Sequence, residues 1–274
     1  MTAASSIASR TSLGRSWPAL ELQQADDDDL VQAFLIDFNL AAVDGPRFFF
    51  HVAEDRDRAA AAVQAHFPAL GARCLSVADE DWASRSQANL RSVRIGALVV
   101  SPPWDMQSDS IVIQPSMGFG TGHHATTRLC LAALQDIDVK DRSVIDVGTG
   151  SGVLAIAARR LGASGVLAID DDADAIAAAE ENVALNQESR IALEVADLRA
   201  SKIGQFDIVI ANLTGGLLIA CADRLMSFAA PGGHLLLSGF TDHEEHDVLA
   251  AFAGCSVENR ALENEWICAV LRRA

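Results

Sequence analysis

The chain has 274 residues, half of them hydrophobic, and a formal net charge of −16. That length allows one large domain or two small ones, with enough apolar side chains for a sizeable core. Every apolar run is interrupted by charge well before the ~18 residues of a membrane span. The acidic balance argues against a nucleic acid as the main partner, because phosphate binding needs a basic face. We therefore expect no membrane segment, no direct nucleic-acid binding, and a basic partner if there is one.

Five cysteines are scattered along the chain, and none belongs to a C-x-x-C pair. Neither a zinc site nor a disulfide framework is indicated by this spacing. Free thiols are typical of a reducing compartment, so we expect the cytoplasm.

The first residues lack the apolar core of a secretory signal peptide. They are rich in serine and carry Arg10 and Arg15 without an acid before Glu21, a composition that faintly resembles an organelle transit peptide. An ordinary disordered tail over residues 1–30 is the preferred interpretation. The aspartate run at 26–29 predicts a solvated helix start leading into "LVQAFLIDF".

Residues 31–90 predict a small α+β domain. "RFFFHV" from Arg47 and "GARCLSV" from Gly71 are typical of strands, and "DRDRAAAAVQAHF" between them is typical of a helix. Residues 91–110 are predicted as a connector with one more strand, "ALVVS", which Pro102 and Pro103 end.

Residues 111–274 alternate short apolar strands with helical stretches. The strands are "SVIDV", "GVLAID", "IALEVAD", "FDIVIANL" and "HLLLSGF". Such alternation predicts βαβ units and a parallel sheet covered on both faces. The last two apolar segments, "SVENRAL" and "EWICAVLRR", leave no room for a helix and must pair antiparallel at the sheet edge. The fold class is thus a doubly wound, Rossmann-like α/β sheet ending in an antiparallel hairpin, the arrangement of class I methyltransferases.

Two helices of this region carry further signals. The helix from Asp172 places Ala173, Ile176, Ala179 and Val183 at helical spacing, which predicts a core-facing stripe. The helix after Gly152 ends in "RRLGA", with Gly162 as the predicted residue that closes it.

The segment "VIDVGTGSGVLAIA" is a strand, a glycine turn and a helix. Gly148, Gly150 and Gly152 form G-x-G-x-G rather than the dinucleotide pattern G-x-G-x-x-G, because Val153 stands at the last glycine's place. Glycines here permit a tight turn and a close approach of a ligand to the backbone. Asp146 precedes the turn, which suits a cofactor bearing an ammonium and a sulfonium better than a pyrophosphate.

Two further polar residues end strands of the predicted sheet. Asp170 closes "GVLAID" and could accept hydrogen bonds from both ribose hydroxyls of a nucleoside cofactor, or it could cap the next helix. Asn212 closes "FDIVIAN" and could hold a methyl-accepting amine, cap the helix that starts near Gly215, or do both.

These stretches, with "FGTGHHATTRLCL" and "GGHLLLSG", resemble the ribosomal protein L11 methyltransferase (PrmA) family over roughly residues 79–274. The resemblance implies a protein N-methyltransferase that uses S-adenosyl-L-methionine and acts on lysine amines, and possibly on the N-terminal amine, of ribosomal protein L11. It implies cofactor contacts at Thr127, Gly148, Asp170 and Asn212, to which we add Gly150, and it makes Asn212 the candidate catalytic residue. Thr127 opens a predicted helix whose free N–H groups could receive the carboxylate of the cofactor. We expect the protein to act as a monomer.

The chain departs from the family pattern at four places. Ala125 replaces a proline and removes a rigid φ angle before the helix, Ser86 replaces a second tryptophan, and "NLTGGLL" replaces the commoner Asn-Ile-Leu-Ala. The segment before residue 79 is also shorter than the substrate-recognition domain of the family. The change at Ala125 should loosen the loop without removing its contacts, and "NLTGGLL" concerns the acceptor pocket. Ser86 and the shorter segment concern the protein substrate and not the cofactor.

Competing interpretations remain for the histidines and for the function. His123 and His124 are adjacent and project in different directions, and "HEEH" at 243–246 is not H-E-x-x-H, so no metal site is predicted. His124 matches the histidine of the family and is interpreted as a residue that orders the loop. Alternative functions are methylation of another protein, a non-catalytic cofactor-binding scaffold, and a nicotinamide-dependent oxidoreductase.

Overall fold

The computed structural model describes residues 16–22, 34–35, 38, 40–44, 46–68, 70–78, 90–115 and 122–274. The chain divides into two compact units, Met1–Asn89 and Leu90–Ala274. In the described part of the chain, no helix is both long and apolar enough to cross a membrane.

Among its described residues, the first unit contains a four-stranded sheet and a helix packed on it. Its elements are β1 (Ser16–Leu22), β2 (Leu40–Asp44), β3 (Arg47–Phe50), α1 (Ala53–His66) and β4 (Ala72–Ala78). The strand order is β2-β3-β1-β4, and all neighbours are antiparallel. Helix α1 buries Ala59 and Val63 in an apolar cluster with side chains of the sheet such as Leu20 and Phe48. The described elements of this unit are thus a helix packed on an antiparallel sheet.

The prediction of a disordered tail over residues 1–30 is wrong for Ser16–Leu22. This segment is β1, an inner strand of the sheet, with Ala19 and Leu20 fully buried. The strand escapes pattern recognition because Pro18, which cannot donate a backbone hydrogen bond, lies within it opposite Ser76. Residues 1–15 and 23–33, including the aspartate run, lie outside the described residues.

The predicted connector at 91–110 belongs to the second unit and is not a linker. It contains β5 (Val93–Ile95), β6 (Leu98–Ser101) and a 3₁₀ turn at Pro103–Asp105, and β7 (Ile111–Val112) follows. Strands β5 and β6 are antiparallel, whereas β6 and β7 are parallel. Pro102 follows β6, as predicted for its end.

The rest of the second unit is a seven-stranded sheet with helices between its strands. Its strands are β8 (Ser143–Val147), β9 (Gly165–Asp170), β10 (Ile191–Val195), β11 (Phe206–Asn212), β12 (Ala229–Thr241), β13 (Cys255–Glu263) and β14 (Trp266–Arg273). Its helices are α2 (Ala125–Asp136), α3 (Val153–Arg160), α4 (Ala173–Leu185), α5 (Gly215–Ala220), α6 (Ala222–Phe228) and α7 (Glu245–Ala251).

The strand order is β10-β9-β8-β11-β12-β14-β13, with parallel pairing from β10 to β12. Strand β14 runs antiparallel to both of its neighbours, β12 and β13. The predicted doubly wound sheet with an antiparallel edge hairpin is confirmed.

Apolar side chains cover both faces of this sheet. Along β11, Ile208 and Ile210 join one buried cluster, and Val209 and Ala211 join another. This alternation follows from the period of two along a strand. Since both faces are occupied, the ends of the strands are where a ligand can reach the sheet.

The helix signals were only partly correct. Helix α4 buries Ile176, Ala179 and Asn182, whereas Ala173, in its first turn, is exposed and Val183 is half-buried. Gly162 follows α3 with a φ of 100°, as its predicted closing role requires.

Candidate active site

The glycine turn at 148–152 leads from the carboxyl end of β8 into α3 and is hydrogen-bonded to the carboxyl end of β9. The N–H groups of Gly148 and Thr149 donate to the carbonyl of Ile169 at 2.9 and 3.0 Å. Gly148, Gly150 and Gly152 have φ angles of 71°, 53° and 80°, a region that side chains disfavour. The turn therefore curls over the end of β9 in a conformation that its glycines permit.

The Asp170 carboxylate joins this turn to the next helix. Its Oδ2 accepts from the Gly150 N–H at 3.0 Å, and its Oδ1 accepts from the Asp172 N–H at 3.1 Å. Helix α4 is capped by Asp172, which accepts from the Asp174 N–H at 2.9 Å. Because each carboxylate oxygen can accept a further hydrogen bond, Asp170 retains capacity for ligand hydroxyls.

Asn212 lies at the carboxyl end of β11 and is half-buried. The following helix, α5, takes Thr214 as its N-cap residue, so the capping alternative for Asn212 is not what the structure shows. Among the described residues, no hydrogen bond engages its side-chain amide. The amide is thus available to a ligand.

These residues converge on one cavity of about 420 Å³ at the carboxyl edge of the sheet. It is lined by Val147, Gly148, Gly150, Ile169, Asp170, Asp171, Asp172, Ala175, Ala196, Asp197, Leu198, Arg199, Asn212, Leu213, Thr214 and Leu217. The lining carries four aspartates against the single guanidinium of Arg199. An acidic cavity favours a cationic ligand and disfavours a pyrophosphate.

Sequence reasoning missed the loop after β10, which forms another wall. There Asp197 accepts from the Arg199 N–H at 2.8 Å through Oδ1, and Leu198 is buried beside it. The available signal was positional, because "ADL" follows the next strand along the chain, and parallel strands present their carboxyl ends at one edge.

Asp146 is buried beneath the glycine turn and holds it through a hydrogen bond. It is 1% exposed and accepts from the Thr149 hydroxyl at 2.7 Å. Burial raises the pKa of Asp146 to about 6. The hydrogen bonds from the Thr149 hydroxyl and the Ala155 backbone oppose this shift, and the negative charge of Asp170 adds to it. The residue therefore shapes the loop from a buried position and is not part of the cavity wall.

Thr127 lies in the first turn of α2 and is 2% exposed. The start of α2 lies at the carboxyl edge of the sheet. The ring of His124, its N-cap residue, packs on Trp266 with ring centroids 4.9 Å apart. Trp266 in turn pairs with Thr241, the last residue of β12. Thr127 is not among the residues that line the cavity. Residues 116–121, which hold most of the first glycine motif, lie outside the described residues.

His123 and His124 have structural partners. The Nε2 of His123 lies 2.8 Å from the Arg91 carbonyl oxygen, and the Nδ1 of His124 lies 2.8 Å from the Thr126 hydroxyl. His124 is the N-cap residue of α2 and accepts from the Thr126 N–H, which stabilises the start of the helix. Burial and the nearby Arg128 lower the pKa of His124, which keeps its ring neutral as an acceptor. Within the described ranges, no cluster of side chains could hold a metal ion.

The site can be tested against the cofactor that the fold implies. A nucleoside needs a hydroxyl acceptor, which Asp170 provides, and a close backbone approach, which the glycine turn provides. A sulfonium and an ammonium suit an acidic lining. The fit is good, and together with the sheet order it defines a class I S-adenosylmethionine-dependent methyltransferase.

Comparison with known proteins identifies the family. The profile described as "Ribosomal protein L11 methyltransferase (PrmA)" matches residues 42–274. The ribosomal protein L11 methyltransferase of Geobacter sulfurreducens is 42% identical over 205 residues, which are 72% of this chain and 67% of that protein. The protein of the same name from Geotalea uraniireducens is 39% identical over 213 residues, 70% of this chain and 68% of that protein.

A solved structure agrees with this match. The ribosomal protein L11 methylase of Lactobacillus delbrueckii subsp. bulgaricus superposes with a TM-score of 0.63 at 34% identity, covering 67% of this chain and 99% of that one. The chain belongs to the ribosomal protein L11 methyltransferase family.

Proposed function

We propose that this protein transfers methyl groups from S-adenosylmethionine to lysine amines of ribosomal protein L11, in the cytoplasm and as a monomer. The observation that carries the proposal is the acidic cavity in which Asp170 and Asn212 face the same space. The net charge of −16 is complementary to a basic protein substrate.

We assign the cofactor contacts to Asp170, Gly148 and Gly150, with Thr127 at the start of α2. The two oxygens of Asp170 accept the ribose hydroxyls, while its bonds to the Gly150 and Asp172 N–H groups hold it in place. Thr127 lies in the first turn of α2, whose N-terminal N–H groups favour a carboxylate.

We assign Asn212 to the acceptor amine. S-adenosylmethionine supplies an electrophilic methyl group on a sulfonium. The side-chain carbonyl of Asn212 accepts an N–H of the amine, which directs the nitrogen lone pair into the cavity. Alignment of this kind is worth up to ~7–11 kcal/mol of the barrier. A lysine with an ordinary pKa of ~10.4 must first lose a proton, and desolvation in the cavity lowers its pKa.

The rival functions are weaker on specific grounds. A nicotinamide cofactor carries a pyrophosphate, which four aspartates in the lining oppose. A scaffold would not require an available amide at Asn212. Another protein substrate remains the alternative, since the loop "NLTGGLL" beside Asn212 differs from the family pattern.

Transfer of a labelled methyl group into a bacterial lysate, followed by mass spectrometry of the labelled protein, tests the proposal. We expect label on lysines of ribosomal protein L11 with the wild-type protein. We expect at least a hundredfold loss with Asn212→Ala, since a positioning effect of this kind can exceed that factor. Circular dichroism of the variant controls for folding.

The outcomes separate the rivals. Label on a different basic protein would leave the chemistry and change the substrate. No transfer, with S-adenosylhomocysteine still bound, would favour a scaffold. Thermal protection by NAD but not by S-adenosylhomocysteine would contradict the whole proposal.

A further inference from the structure

Two buried asparagines at the C-terminal end of helix α4 hold the backbone that leads into the first glycine motif, and one of them also holds the second glycine turn. Asn182 and Asn186 are 1% and 9% exposed, and they lie one helical turn apart. Buried amides are costly unless they are hydrogen-bonded, and both are. They therefore have a defined structural task.

Asn186 holds β7 as a neighbouring strand would. Its Oδ1 accepts from the Val112 N–H at 2.8 Å, and its Nδ2 donates to the Val112 carbonyl at 2.6 Å. Both backbone groups of one residue are thus satisfied by one side chain. Among the hydrogen bonds between described residues, none of those made by Asn186 reaches the glycine turn.

Asn182 makes a different connection. Its Oδ1 accepts from the Gln114 N–H at 2.7 Å, and its Nδ2 donates to the carbonyl of Ser151 at 2.9 Å. Ser151 belongs to the turn whose Gly150 N–H is bound to Asp170. One amide thus links the segment that leads into the first glycine motif with the second glycine turn.

Helix α4 lies directly against that turn. A Cβ added to Gly152 would be 3.2 Å from the Cβ of Ala179, one turn before Asn182 on the same face. The turn is therefore held at Gly150 by Asp170, at Ser151 by Asn182 and at Gly152 by close packing.

We propose that Asn182 is a positioning residue for cofactor binding. Its amide fixes the Ser151 carbonyl and so keeps the left-handed turn in the shape that offers Asp170 to the ligand. This inference rests on the proposed function. Asn186 is a matched control, because it is the same residue type at the C-cap of the same helix, one turn later, and holds the same preceding segment.

Calorimetric titration with S-adenosylhomocysteine tests the inference on the full chain, with thermal unfolding recorded in parallel. For Asn182→Ala we expect the Kd to rise about tenfold, because a buried carbonyl loses its donor. Asn182→Asp keeps the acceptor for Gln114 but cannot donate when ionised, so its Kd should rise at least as much. For Asn186→Ala we expect a lower Tm and a Kd within about twofold of wild type.

The result that overturns the inference is a wild-type Kd in both Asn182 variants, or an equal rise in Asn186→Ala. If Asn182→Ala does not fold, Asn182→Asp decides by the same criteria, because it preserves shape and one hydrogen bond. A wild-type protein that does not bind S-adenosylhomocysteine would overturn the proposed function as well, so the two failures are distinguishable.

Discussion

Aspartates lie at both edges of the seven-stranded sheet, and their surroundings differ. At the amino edge, Asp207 accepts from the backbone and hydroxyl of Ser143 at 2.9 and 2.8 Å, which lowers its pKa. At the carboxyl edge, Asp170 accepts one N–H at each oxygen and faces a cavity of about 420 Å³.

The two carboxylates have different roles because they lie at opposite ends of the strands. Asp207 is held by the neighbouring strand and joins β8 to β11, a structural task. Asp170 is held by a turn and by the start of a helix, so its carboxylate is oriented while each oxygen can still accept a further hydrogen bond. Residue type alone would not separate the two, whereas the direction of the strand does.

The largest expected effect comes from removing Asp170. Asp170→Ala should raise the Kd for S-adenosylhomocysteine about 1,000-fold, because charge-assisted hydrogen bonds to the ligand and to Gly150 are lost together. Calorimetric titration measures it. Asp207→Ala is the control and should lower stability while leaving the Kd unchanged. An equal rise in the Kd of both variants would contradict the distinction between the two edges.

Two glycines of β12 extend the comparison to the backbone. Gly239, near the carboxyl end, has a φ of 92°, and an added Cβ would overlap the backbone of Leu213, next to Asn212. Gly232, near the amino end, has a φ of 73°, but the nearest atom to its Cβ would be 3.8 Å away. Gly239→Ala should lower the free energy of unfolding by about 3 kcal/mol and Gly232→Ala by about 1 kcal/mol.

Urea unfolding measures both glycine variants. Methyl transfer should also fall in Gly239→Ala, since the displaced Leu213 adjoins Asn212, and should persist in Gly232→Ala. Similar losses in the two variants would mean that the φ strain alone sets the cost.

The smallest expected effect concerns Asp146, whose contribution to the stability of the fold changes with pH in a defined direction. Its pKa in the folded state, about 6, exceeds the ordinary value of ~3.9, so its contribution to stability falls as pH rises from about 4 to about 6. Asp146→Asn lacks this dependence. Relative to wild type, the variant should gain about 2 kcal/mol across that range, less than the ~3 kcal/mol of the full shift because the titration of Asp146 extends beyond both ends of the range.

Asp207→Asn should show the opposite sign. Because the pKa of Asp207 is lowered in the folded state, its carboxylate stabilises the fold at pH values above its ordinary pKa. This stabilisation is lost as the pH falls through the pKa of the folded state. Chemical denaturation between pH 3 and 8 measures both differences. A pH-independent difference for Asp146→Asn would contradict the burial argument.

The sequence predicted the sheet of the second unit well, because its strands are continuous apolar runs between helical stretches. Gly148, Gly150, Asp170 and Asn212 were predicted for a related reason, since each lies at or just after the end of a strand that can be recognised. Their roles toward cofactor and amine remain predictions. Asp197 ends the same kind of pattern and was overlooked.

Other features depend on contacts that no local pattern encodes. Asn182 lies in a helix where a polar residue is usually exposed, and its two partners lie 68 and 31 residues before it in the chain. Strand β7 has two residues and is held by a side chain of α4. Such long-range partners are visible only once the chain is folded.

Strand β1 has a practical consequence for work on shortened forms of the protein. The family match begins at residue 42, yet Ser16–Leu22 lies between β3 and β4. A form trimmed to residue 42 would strip both neighbours of their hydrogen-bonding partner and uncover Phe48 and Phe50. Exposed strand edges with an apolar face promote self-association, so such a form would be prone to aggregate on expression even though its methyltransferase unit is intact.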